Sequence, residues 1–118
     1  MTITKFEQLI VWQKAHQLTV RIYTEINFGN DFNFKNQISR AAISIGNNIA
    51  EGFDRESAKD FKNFLRYSKG SCAEVRSMIY LAKSIKYVDE YLKKSLLEDC
   101  HEIDKMLFSL RKSIKTDY

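Results

Sequence analysis

Residues 89–114 read DEYLKKSLLEDCHEIDKMLFSLRKSI, the clearest periodic segment of the chain. Within it Leu92, Leu96, Cys100, Ile103, Leu107, Leu110 and Ile114 recur at steps of four, four, three, four, three and four. That period gathers all seven on one face of an α-helix and would scatter them over both faces of a strand. Asp89 precedes the pattern, where a carboxylate can accept free backbone N–H groups of the first turn. A helix with one apolar stripe needs partners to cover it.

Three such partners precede it. Residues from about Ser57 to Lys86 place Phe61, Phe64, Ser68, Val75, Ile79 and Ala82 on one face, with Leu65, Cys72, Met78 and Ile85 beside them. Ser57 and Asp60 have capping-box spacing at its start. From about Phe34 to Gly52, Ile38, Ala41, Ala42, Ile45 and Ile49 keep the period, and the small residues Ser44, Gly46 and Ala50 let a neighbouring helix come close. The first segment, about Phe6 to Asn27, carries Val11, Ala15, Leu18, Ile22 and Ile26, with a capping box expected at Thr4 and Glu7. Leu9 and Ile10 fall off that stripe, so an irregular first turn is one expectation and a second subunit facing it is another.

The joints at residues 28–33, 52–56 and 87–89 are short, which makes consecutive helices antiparallel neighbours. The expected fold is all-α, an antiparallel up-down four-helix bundle forming a single domain over residues 1–118. Composition agrees. The 118 residues include no proline and four glycines, so helix breakers are missing and tight-turn formers are few. No apolar run reaches the roughly 20 residues that span a bilayer, and the N-terminus lacks a secretory pattern. Two distant cysteines, Cys72 and Cys100, make no disulfide framework. A cytoplasmic protein without membrane attachment is expected.

The chain offers little for catalysis. His16 and His101 form no HExxH, and no paired-cysteine motif accompanies them, so no metal is expected. Cys100 and His101 diverge by about 100° around a helix, which reads as a core cysteine beside a surface histidine. Phosphate-cradling glycine loops and the Arg-x(4–6)-His pattern of small helical RNases are missing too. Glu98 and Glu102 lie one turn apart but lack the Glu-x-x-His partners of a di-iron bundle. Neither catalytic residues nor cofactors are expected.

Charge is more informative. The net charge of +4 is spread unevenly, with residues 55–86 strongly basic and residues 87–104 acidic. On a helical wheel Arg55, Lys59, Lys62, Arg66, Lys69, Arg76 and Lys83 fall within about 120°. Such a stripe can follow a phosphate backbone without reading sequence. Arg55, Lys59, Lys62, Arg66, Lys69 and Arg76 are therefore the candidate nucleic-acid contacts. The competing reading is a protein-interaction face answered by the acidic last helix. Arg40, Asn48, Glu51 and Glu74 are candidates for a polar network at a subunit boundary, with Arg40 pairing Glu51 or Glu74 if buried.

Three blocks carry a resemblance: Phe6-Glu7-x-Leu9-x-Val11-Trp12-Gln13-Lys14-Ala15, Gln37-Ile38-x-Arg40-Ala41-Ala42-x-Ser44-Ile45 and Asn48-Ile49-Ala50-Glu51-Gly52-Phe53. They closely resemble the four-helix-bundle proteins encoded in intervening sequences of bacterial 23S rRNA genes. Phe64-Leu65, Gly70-Ser71, Glu74, Leu81-Ala82 and Tyr87 extend the match along nearly the whole chain. The resemblance implies a homopentameric assembly of antiparallel protomers. The chain is also similar to the accessory protein of diversity-generating retroelements, which implies RNA or DNA and a reverse transcriptase as partners. No catalytic residues come with either. Ser39 stands where many members have a second arginine, and Gly46 where many have a proline.

Overall fold

The computed structural model describes residues 2–115. After a 3-10 turn at Phe6–Gln8, four helices follow: α1 (Ile10–Glu25), α2 (Phe32–Asp54), α3 (Ala58–Ser84) and α4 (Glu90–Ser113). Each packs on the next, and α4 closes back on α1, so the all-α bundle is as expected. The α2–α3 seam is the most extensive and the α1–α4 seam the slightest of the four. One apolar core runs through the middle, with Leu18, Ile22, Ile38, Ile45, Ile49, Leu65, Ile79, Leu96, Ile103 and Leu107 almost wholly buried.

Local chemistry sets the helix starts. Asp31 Oδ1 accepts the Phe34 N–H at 3.0 Å, Ser57 Oγ the Asp60 N–H at 3.2 Å, and Asp89 Oδ1 the Leu92 N–H at 2.8 Å. Because Asp31 is the cap, α2 begins at Phe32, ahead of the expected Phe34, and it runs on to Asp54. Glu56 and Lys86 adopt left-handed backbone (φ 60° and 69°), which turns the chain away beyond α2 and α3. Ile85 thus falls past the end of α3 and is exposed instead of lying beside the core. Phe61 and Phe64 are half-buried, while Leu65 and Cys72 take the interior places.

The N-terminus corrects the expected capping box. Gln8, not Glu7, reaches back, its Oε1 accepting the N–H groups of Thr4 at 2.8 Å and Lys5 at 3.2 Å. Glu7 stays in solvent while its backbone carbonyl accepts Gln13 Nε2 at 2.8 Å. Extended backbone at Leu9 then breaks the path, and α1 starts only at Ile10. The irregular first turn is therefore a separate 3-10 element.

Small residues bring α2 and α3 together. A Cβ on Gly52 would sit 2.5 Å from Phe64 Cβ, so only glycine fits there. Ser68, fully buried, donates its hydroxyl to the Ile45 carbonyl at 2.8 Å. At the opposite end of the bundle, the Tyr87 hydroxyl donates to Asp31 Oδ2 at 2.6 Å. That bond, with the Phe34 N–H, holds the Asp31 carboxyl below the usual carboxylate range.

Candidate nucleic-acid interface

The basic stripe of α3 lies along its groove with α4, and three contacts set the register of that groove. Lys93 Nζ sits 5.6 Å from the Tyr80 ring centroid, Cys72 Sγ donates to the Cys100 carbonyl at 3.4 Å, and Lys69 Nζ lies 3.1 Å from Asp104 Oδ1. Each step toward the N-terminus of α3 therefore meets a step toward the C-terminus of α4. Continuing by the same register sets Leu65 level with Phe108 and Lys62 level with Arg111.

The six stripe residues have different fates. Arg55 reaches back to Glu51 Oε1 at 3.3 Å, and its guanidinium lies 5.0 Å from the Phe64 ring centroid. Lys69 is answered by Asp104 within the same chain. Arg76 is half-buried along the groove, its Nε shielded without an acceptor among the described residues. Lys59 is exposed and already engaged in an interaction. Lys62 and Arg66, one helical turn apart, make no ion pair with a described residue. Arg66 is exposed and Lys62 half-buried. The stripe is thus answered at Lys69 and at Arg55, Lys59 is engaged, and Lys62 and Arg66 between them have no ion pair among the described residues.

Across the groove, α4 supplies cations that the α3 wheel does not contain. Lys105, Arg111 and Lys112 lie three or four positions from Phe108, which makes them its surface neighbours on the helix. Arg111 is half-buried with its Nε lacking an acceptor among the described residues, and Lys105 and Lys112 are exposed. Phe108 is 58% exposed, and no other described ring or cation lies over it. The available signal was the net +3 of residues 105–118, which is invisible as part of the same surface until α4 is laid antiparallel on α3.

The four polar candidates do not form a buried network within the protomer. Arg40, Glu51 and Glu74 are exposed. Arg40 and Glu51, eleven positions apart on one helix, are separated by roughly 16 Å along the axis, too far to pair; Glu51 pairs with Arg55 instead. Arg40 and Glu74 line one open polar cleft with Asn33, Asn36 and Gln37. Asn48 is half-buried, its amide donating to Ser44 O at 2.8 Å and Ser44 Oγ at 2.9 Å, and Ser71 Oγ adds a 3.0 Å bond to Ser44 Oγ.

Cys72 and Cys100 are free and buried, and contact with Cys72 together with burial pushes the Cys100 thiol far above its ordinary range. His101 is exposed beside it in sequence. Among the described residues no cluster of three His, Cys, Asp or Glu side chains could hold a metal ion. No helix is long and apolar enough to cross a membrane, again among the described residues.

Comparison with known proteins places this geometry. Residues 7–109 match the family model described as 23S rRNA-intervening sequence protein. A crystal structure from Bacteroides thetaiotaomicron VPI-5482, described as a protein of unknown function from the S23 ribosomal protein family, is similar in fold. It superimposes with a TM-score of 0.80 at 30% identity, covering 88% of this chain and 96% of that one. No curated protein matches the chain.

Proposed function

The chain belongs to the 23S rRNA-intervening sequence protein family, and we propose that it is a non-catalytic, cytoplasmic bundle that binds nucleic acid, structured RNA foremost, through the α3–α4 basic surface. The observation that carries this reading is the run of cations from two helices, Lys62 and Arg66 facing Lys105, Arg111 and Lys112, with no carboxylate paired to any of them among the described residues. Cations so placed neutralise phosphates and release counterions, which gives affinity without sequence readout.

The decisive measurement is RNA binding across salt. Contacts to about four phosphates make log affinity fall with log salt at a slope near −3. The double charge reversal Lys62→Glu and Arg66→Glu should shallow that slope by about two. Undetectable RNA binding at low salt by intact protein would remove the reading.

One observation favours a second reading. Asp104 answers Lys69 inside the chain, so the acidic helix already serves part of the stripe, as in an interaction surface that needs no polyanion. We also propose self-association, the pentamer that the family resemblance implies, supported by Tyr67, Leu81 and Ile85 standing exposed along α3 and its end. A stable 13.9 kDa monomer in sedimentation at micromolar concentration would refute it. The position of the gene, inside a 23S rRNA locus or beside a reverse transcriptase, separates the two partner systems.

A further inference from the structure

We propose that Phe108 is a stacking platform for an unpaired base, so that the α3–α4 surface prefers single-stranded segments of RNA over duplex. The inference rests on the phosphate-binding reading and adds the form of nucleic acid recognised. A phenyl ring on a helix surface is normally covered by a neighbour or lies scattered among polar groups. Here it is 58% exposed at the rim of a groove, flanked by Lys105, Arg111 and Lys112, with Lys62 and Arg66 on the facing helix at the same level. Asp104, the nearest carboxylate on that face of α4, is taken by Lys69.

Other exposed aromatics are differently placed. Tyr80 carries the Lys93 ammonium over its ring, Tyr23 that of Lys35, and Tyr67 packs edge-on against Phe64 at 5.5 Å. Phe32 and Tyr91 are more exposed than Phe108, at 66% and 82%, but stand at the starts of α2 and α4, at the end of the bundle away from Lys62 and Arg66, with Glu98 beside Tyr91. Phe108 combines a ring that no other described ring or cation covers with surrounding positive charge. That pairing is what single-strand surfaces use, cations tracking the backbone while an aromatic face takes a base. A duplex keeps its bases stacked inside and offers the ring only groove edges. Charge complementarity thus selects a polyanion, and the open ring selects one whose bases are free.

The test compares fluorescein-labelled oligouridylate of about 20 nucleotides, longer than the footprint expected of a single small domain, with a mixed-sequence RNA duplex of similar length. Phe108→Ala should weaken single-strand binding by about 5- to 100-fold, the loss of one stacked base. Duplex binding and the salt slope should stay as in the wild type. Phe108→Trp should keep the affinity, and its emission should be quenched by oligouridylate beyond any change at Trp12.

Phe108→Ala binding both probes like the wild type, while Lys62→Glu with Arg66→Glu weakens both, overturns the platform and leaves the phosphate surface standing. Wild-type protein binding neither probe overturns both. A change in sedimentation on Phe108→Ala with single-strand affinity intact assigns the ring to contact between copies and overturns the platform.

Discussion

The α2–α3 and α1–α4 seams close the same bundle by different means. Between α2 and α3, Gly52 lies against Phe64, Ser68 bonds the Ile45 carbonyl, and Phe53 meets Phe61 edge-on at 5.7 Å. Between α1 and α4, Lys14 bonds Glu102 at 2.9 Å, and Arg21 bonds Asp99 at 2.8 Å while also holding Glu25. These ion pairs border a cleft of about 250 Å³ that also touches Gln17 and Ile103. Close packing is indifferent to salt and intolerant of volume. Partly exposed ion pairs tolerate substitution, weaken in salt and contribute little each.

The strongest way to break the first seam is Gly52→Ala. Its Cβ would lie 2.5 Å from Phe64 Cβ, an atom fixed to the backbone of α3, so the helices must separate. A loss of about 3 kcal/mol is expected, read as a fall of about 10–15 °C in the melting midpoint. Gly46→Ala is the internal contrast. There the nearest atom, Trp12 Nε1, is 3.5 Å from the new Cβ, and the change should stay within about 1 kcal/mol of neutral.

Which parts of this were legible in the sequence follows from how far each interaction reaches. The stripes and the caps at Ser57 and Asp89 are local, because a side chain and the N–H it bonds lie within one turn. The Gly52–Phe64 approach joins residues on two helices, and the small-residue pattern of α2 announces that something comes close without saying what. Likewise Lys69 looks free on a wheel of α3 alone. Only the antiparallel register against α4 pairs it with Asp104 and brings Lys105, Arg111 and Lys112 into the candidate surface. The pairing of Arg40 with Glu51 or Glu74 was expected only on burial, and all three are exposed; for Glu51 the spacing along one helix already forbade it.

Two changes on α3 have smaller effects. Ser68→Ala removes a buried hydroxyl from the Ile45 carbonyl and should cost about 1 kcal/mol in denaturant midpoint, equally at low and high salt. Gly70→Ala should move the other way. No atom lies within 4 Å of its added Cβ, so the substitution relieves only the entropic cost of glycine in a helix, a gain of about 0.5–1 kcal/mol. Opposite signs for Gly52 and Gly70 on facing helices would show that contact, not propensity, makes the α2–α3 seam demanding.

The smallest effect belongs to the α1–α4 seam and is distinguished by its conditions. Asp99→Asn with Glu102→Gln removes both cross-seam ion pairs, whose side chains are 25–52% exposed. Solvent screening keeps the combined cost below that of any packing change above at low salt, and the difference should vanish near 1 M salt, where the Debye length is about 3 Å. Acid probes the same cluster. The Arg21 hydrogen bond holds the Glu25 carboxyl below its ordinary range, so the unfolded chain takes up that proton first as pH falls. Its contribution is complete above the ordinary glutamate pKa of about 4.3 and is lost as pH drops through the depressed folded value. Glu25→Gln should remove that part of the acid dependence, lowering stability slightly at neutral pH and converging with the wild type in acid. If high salt erased the effect of Ser68→Ala as fully as that of the α1–α4 pair, the division between a packed seam and an ion-paired one would collapse.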